Sequence, residues 1–205
     1  MINRVFSTGA LALCVCLIFS SPSLQAAEPT PSDIVEGFQA QLLQVMKEAQ
    51  NLSVRERFDR LSSSVENAFH VQLMFQIATG SYWKEATTSE RLQLVEAFHR
   101  RSVSILATLF DGYSGEIFML VKEKPGPQKT RIVMTKLRKA DKSTIDIAYV
   151  TRRFKEGWRI IDVILDNGIS ELKVRQSEYR QVLKKEGAPG LIKLLNSKAD
   201  ELISK

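Results

Sequence analysis

The sequence predicts an α+β fold: helices first, then a twisted antiparallel sheet of about four strands, then helices. Three observations predict it. Apolar residues recur at helical spacing between residues 32 and 110, the period falls to two between residues 116 and 165, and the period-two runs are joined by very short connections. No repeat, low-complexity tract or linker divides the chain, so one domain with helices set against a meander is expected.

The N-terminus stands apart from that domain. Met1 to Arg4 is short and basic, residues 5–19 (VFSTGALALCVCLIF) are uncharged and apolar, and SSPSLQAAE follows with small residues. This is the form of a secretory signal peptide, residues 1–26, cut after Ala26 to leave a single domain over residues 27–205. A membrane span fits less well, because about 18 to 20 apolar residues are needed and no stop-transfer charge cluster follows. Both cysteines, Cys14 and Cys16, lie inside the apolar core, preceded by Leu13 and Val15 rather than by the small residue that lipoprotein processing requires. The mature chain therefore has no disulfide, thiolate metal site or cysteine nucleophile, and after export it must be held by an ordinary core.

Residues 32–49 read as the first helix, with a serine cap after Pro31 and Ile34, Phe38, Leu42, Val45 and Ala49 on one stripe. Residues 52–69 continue as helix with Phe58, Leu61, Val65 and Phe69, and residues 71–78 are a short apolar piece closed by Gly80. Residues 89–110 are the longest helical run. Its broad apolar band, including Leu92, Val95, Phe98, Ile105 and Leu109, calls for a sheet or a cavity opposite.

After the turn at residues 111–114, four strands are expected over residues 116–124, 130–139, 143–155 and 157–165, joined by PGPQ, AD and EG. Ile145, Ile147 and Tyr149 share one face of the third. In the fourth, WRIIDVIL, alternation puts Trp158, Ile160, Asp162 and Ile164 on one side and Ile161, Val163 and Leu165 on the other. A strand apolar on both sides needs cover on both sides. DNGIS then turns the chain, with Ser170 as N-cap, into a helix over residues 171–186, and GAPG at residues 187–190 reads as a helix stop followed by a proline start.

Removal of Arg4 leaves a net charge of +5, from 28 basic and 23 acidic residues. The groupings HRR (99–101), KLRK (136–139) and TRRFK (151–155) alternate with apolar residues or acids. They read either as a solvated face or as a surface for anionic membrane headgroups. Export and the lack of a nucleic-acid motif argue against nucleic acid.

Catalytic constellations are scarce. His70 and His99 sit in helical patterns without metal-ligand spacing, so no metal site is expected. GYSGE at residues 112–116 precedes a strand instead of joining strand to helix, and no phosphate loop or dinucleotide fingerprint occurs. Asp162 is the one enzymatic idea: a carboxyl among Trp158, Ile160 and Ile164 could serve an isomerase-like or hydrolytic enzyme on a cone-shaped α+β fold. The alternative is a structural anchor that accepts hydrogen bonds and pins a helix to the sheet.

GWRIIDVILDNGIS, the following helix with Arg175, Ser177 and Tyr179, LKKEGAPGLIKLL, and YWKEATTSERLQLVEAFHRRSVSILATLFDGYSGE at residues 82–116 carry a resemblance. Together they resemble the MlaC (toluene-tolerance) family of periplasmic lipid-binding proteins over nearly all of the mature chain. The DGYSGE and WRIIDVILDNGIS wording is most similar to its hopanoid-biosynthesis-associated branch, HpnM. The resemblance implies a twisted sheet and helices enclosing an apolar pocket for phospholipid or a hopanoid-type lipid, with no catalysis and no cofactor. It also implies a carrier role in outer-membrane lipid homeostasis, between an inner-membrane transporter of the RND type and an outer-membrane acceptor or donor complex. From strand parity and helix spacing, the lining is expected from Ile132, Met134, Ile145, Ile147, Tyr149, Trp158, Ile160 and Ile164, with Leu73, Ile77, Phe98, Ile105 and Leu109 from helices.

Overall fold

Three of the helices start where a hydroxyl side chain meets an acid three residues later. In the computed structural model, which describes residues 28–166 and 168–204, these are α1 (Pro31–Glu48) after Thr30, α2 (Val54–Ala68) after Ser53 and α5 (Thr88–Leu109) after Thr87. The expected signal peptide lies outside the described residues. In each cap the hydroxyl accepts the third helical N–H while Asp33, Glu56 or Glu90 accepts the cap residue's own N–H, at 2.7 to 2.8 Å. The Thr30 hydroxyl and N–H donating to Asp33, and the N–H and hydroxyl of Ser53 and Thr87 donating to Glu56 and Glu90, hold the three carboxyls below their ordinary values. α1 thus begins at Thr30 rather than at a Ser32 cap, because the acid three residues on belongs to Thr30 and Pro31 has no N–H to leave unpaired.

α3 (Val71–Thr79) is capped by His70, whose Nδ1 accepts the Leu73 N–H at 3.2 Å, and ends at Gly80, φ 59°. A short α4 (Tyr82–Glu85) follows. The sheet is β1 (Ile117–Pro125), β2 (Thr130–Arg138), β3 (Thr144–Phe154), β4 (Gly157–Leu165) and β5 (Ile169–Ser170), paired in that order and antiparallel throughout. The fifth strand, two residues long, adds to the expected four. α6 (Glu171–Ile203) carries the chain through a break at Gly187.

Two cores follow from this order. The first lies between one face of the sheet, with Val133, Leu137, Ile147, Tyr149 and Ile160, and the apolar stripes of α1, α2 and the second half of α5. The second is helical: Phe75 of α3, Leu94 and Phe98 of α5, and Tyr179, Leu183 and Leu191 from both limbs of α6. Arg57 is buried between the helices. Its guanidinium donates to the carbonyls of Ala107 (2.8 Å), Leu52 (2.6 Å) and Ala49 (3.3 Å), satisfying carbonyls at the ends of neighbouring helices.

Candidate functional site

The space between sheet and helices is the natural interior of this fold. Antiparallel residues directly opposite one another share a face, so Val133 with Tyr149, Thr135 with Ile147, and Leu137 with Ile145 turn the same side of the sheet to α1. Val35, Phe38 and Leu42 of α1 meet them, spaced by three and four residues as one helical stripe. Each such side chain contributes roughly 1.5–3 kcal/mol when fully buried.

A polar tie crosses this apolar layer. Gln39 on α1 is buried and donates its amide to Thr135 Oγ1 at 2.9 Å and to the Tyr149 hydroxyl at 3.2 Å. Thr135 in turn donates to the Ile147 carbonyl at 3.3 Å. Burial pushes the Tyr149 phenol up to about 12. The sequence reading missed Gln39 and Thr135, although Gln39 lies beside Phe38 on the buried stripe, the one available signal.

β4 does not follow simple alternation. Val150 pairs with Asp162 but Thr151 with Ile160, so Ile161 is an extra, bulged residue. The bulge reverses parity: Trp158 and Ile160 fall on the helix-facing side, and Asp162 and Ile164 on the opposite, open side. The shared face expected for these four residues is therefore corrected. Asp162 accepts the Ser170 hydroxyl at 2.6 Å, the Val163 N–H at 2.8 Å and the Leu172 N–H at 3.2 Å. Ser170 Oγ meanwhile accepts the Lys173 N–H, so the carboxylate and the cap sit together at the positive end of α6.

The residues expected to line a pocket fall into five groups. Ile145, Ile147, Tyr149 and Ile160 join the sheet–helix core. Phe98 lies in the helical core, and Leu73, Ile105 and Trp158 are half-buried. Ile132, Met134 and Ile164 line the open side of the sheet, while Ile77 and Leu109 are 43% and 68% exposed. Tyr113 and Leu120 are likewise exposed, Leu120 on the helix-facing side of β1, and Phe110 and Phe118 pack against the sheet–helix core.

Elsewhere, a surface groove of about 690 Å³ runs along α3 and α5, with Val71, Trp83, Leu92 and Val95 among its walls. His99 at its edge has Nε2 3.4 Å from the Ser62 carbonyl and 3.7 Å from Glu66, and the His70 ring lies 4.2 Å from that of Phe154. Among the described residues, no three His, Cys, Asp or Glu side chains converge as a metal site, and no helix is long and apolar enough to cross a membrane.

No functionally curated protein matches the chain. Among solved structures, the phospholipid-binding protein from Ralstonia solanacearum, in complex with a phospholipid, has a similar fold. The TM-score is 0.75 at 16% identity, covering 87% of this chain and 100% of that one. The family model described as MlaC protein matches residues 36–197. A match over that much of the sequence, together with the antiparallel sheet packed on helices, makes this chain a member of the MlaC family.

Proposed function

We propose that the protein is a non-enzymatic periplasmic lipid carrier, taking up a phospholipid or hopanoid-type lipid and handing it between inner- and outer-membrane complexes. The observation that carries this reading is the membership in the MlaC family over residues 36–197, joined to the likeness in fold to a protein holding a phospholipid. The physical requirement agrees with it. Each methylene kept from water is worth about 0.8 kcal/mol, so a carrier needs an apolar interior and little polar chemistry.

The acyl chains lie between the sheet and α1, bordered by Ile145, Ile147, Tyr149 and Ile160. An exposed apolar rim of Leu109, Tyr113 and Leu120 is the entrance. Since side chains fill the interior, loading separates helix from sheet, and Gln39, Thr135 and Tyr149 re-form the tie on release. Asp162 is an anchor for α6 and takes no part in turnover. The sequence wording near the HpnM branch favours a hopanoid-type cargo and an RND-type inner-membrane partner.

Native mass spectrometry of protein taken from the periplasm, followed by lipid extraction, tests the reading. Bound lipid is expected, and its mass separates phospholipid from hopanoid. Identical masses before and after delipidation would overturn the proposal.

A further inference from the structure

The open side of the sheet is the unexplained surface of this molecule. Its centre is apolar: Met119, Ile132, Met134, Ala148, Val150 and Ile164, each half-buried among its strand neighbours. α1 packs on the opposite side, and among the described residues α1 is the helix in substantial contact with β1, β2 and β3, while α3 and α6 reach β4 and the α3 cap residue His70 covers Phe154 at the far end of β3.

Its charge is one-sided. The register brings Lys122, Lys124, Lys136, Arg138, Arg152 and Arg159 to this face, against Asp146 and Asp162 among the strand residues, with Glu66 and Glu156 beside Arg159 at its far end. Asp146 is paired with Lys136 at 2.8 Å, and Asp162 is engaged by Ser170 and the start of α6. Lys122, Lys124, Arg138 and Arg152 have no acidic partner among the described residues. On the helix-facing side, by contrast, Arg131 is paired with Glu123 at 2.7 Å and Arg153 with Glu28.

We propose that this basic, apolar-centred sheet face docks the protein on the surface of an anionic bilayer. Lysine and arginine stems are long enough to set the charges among lipid phosphates while the methionines and branched side chains meet the acyl boundary. A second copy of the chain is a poor occupant, because two such faces repel one another. The choice of a membrane over an acidic protein rests on the lipid-carrier reading, since a carrier must meet the bilayers that it serves.

The test uses the whole mature protein in flotation with phosphatidylcholine vesicles, with and without phosphatidylglycerol. Binding only to the phosphatidylglycerol vesicles, and release by salt, is expected. Lys124→Glu with Arg152→Glu should weaken binding about tenfold or more, at roughly a fivefold loss per basic residue removed from a membrane surface. Lys184→Glu with Lys185→Glu, an equal charge change on an exposed part of α6, should leave binding within about twofold. Equal loss in both variants, no vesicle binding by the parent, or binding to an acidic protein without vesicle binding would each overturn the proposal. Co-purified lipid, measured on the same samples by native mass spectrometry, separates this outcome from failure of the carrier reading: the sheet variant should keep its lipid.

Discussion

At the residue scale, two polar side chains are tolerated in apolar surroundings for different reasons. Asp162 stands beside the first turn of α6, where its charge faces free amides and a hydroxyl and is stabilised by the helix end. Asp162→Asn keeps the shape but removes the charge, and is expected to cost about 1–3 kcal/mol of stability. Urea unfolding checks this, and an unchanged midpoint would refute the anchoring role. Tyr149 differs because it is held neutral. Its folded-state value lies near 12 against an ordinary 10, so between those limits the unfolded chain releases the proton that the folded chain keeps. Stability should therefore fall as pH rises from 10 towards 12, by about 1–3 kcal/mol at the upper end. A smaller loss in Tyr149→Phe over the same range is the expected outcome, since that variant lacks the titrating group.

Elements are shaped here by a few breaks in regularity. The bulge at Ile161 lets β4 give Ile160 to the helical side and Asp162 to the start of α6, so one strand serves two neighbours. Gly187 does similar work in α6. Its φ of 65° and ψ of −162° belong to a region reserved for glycine, and both limbs on either side of it pack into the same helical core. A Cβ at Gly187 would meet only Pro189 Cδ at 3.7 Å, an ordinary contact, so the penalty of Gly187→Ala is one of backbone strain. About 1–3 kcal/mol is expected, measured as a lowered thermal midpoint. An alanine variant as stable as the parent would mean that the two limbs can join in another way.

For the whole molecule, the proposed carrier function separates holding from entry. The rim residues Leu109 and Leu120 are 68% and 44% exposed, so their replacement removes little buried area. Leu109→Glu with Leu120→Glu is expected to change stability by less than about 0.5 kcal/mol per site. The same variant should lose most of its co-purified lipid, read by native mass spectrometry. Retention of full lipid content in the folded variant would move the entrance elsewhere.

Much of this architecture is readable in the linear sequence. The 3.6-residue stripe of Ile34, Phe38, Leu42 and Val45, the period of two after residue 116, and the short connections determine helices, strands and their antiparallel order, because these are local consequences of backbone geometry. The family wording is equally local. What only the tertiary structure decided is which face looks inward. A single extra residue at Ile161 inverts alternation, and no local rule announces it. Likewise Gln39, Thr135 and Tyr149 lie far apart in sequence and become one polar tie only when α1 crosses the sheet. The sequence by itself thus determined the elements and the family; the register and the packing of α1 decided which of the apolar residues belong to the interior and which to the open, basic face.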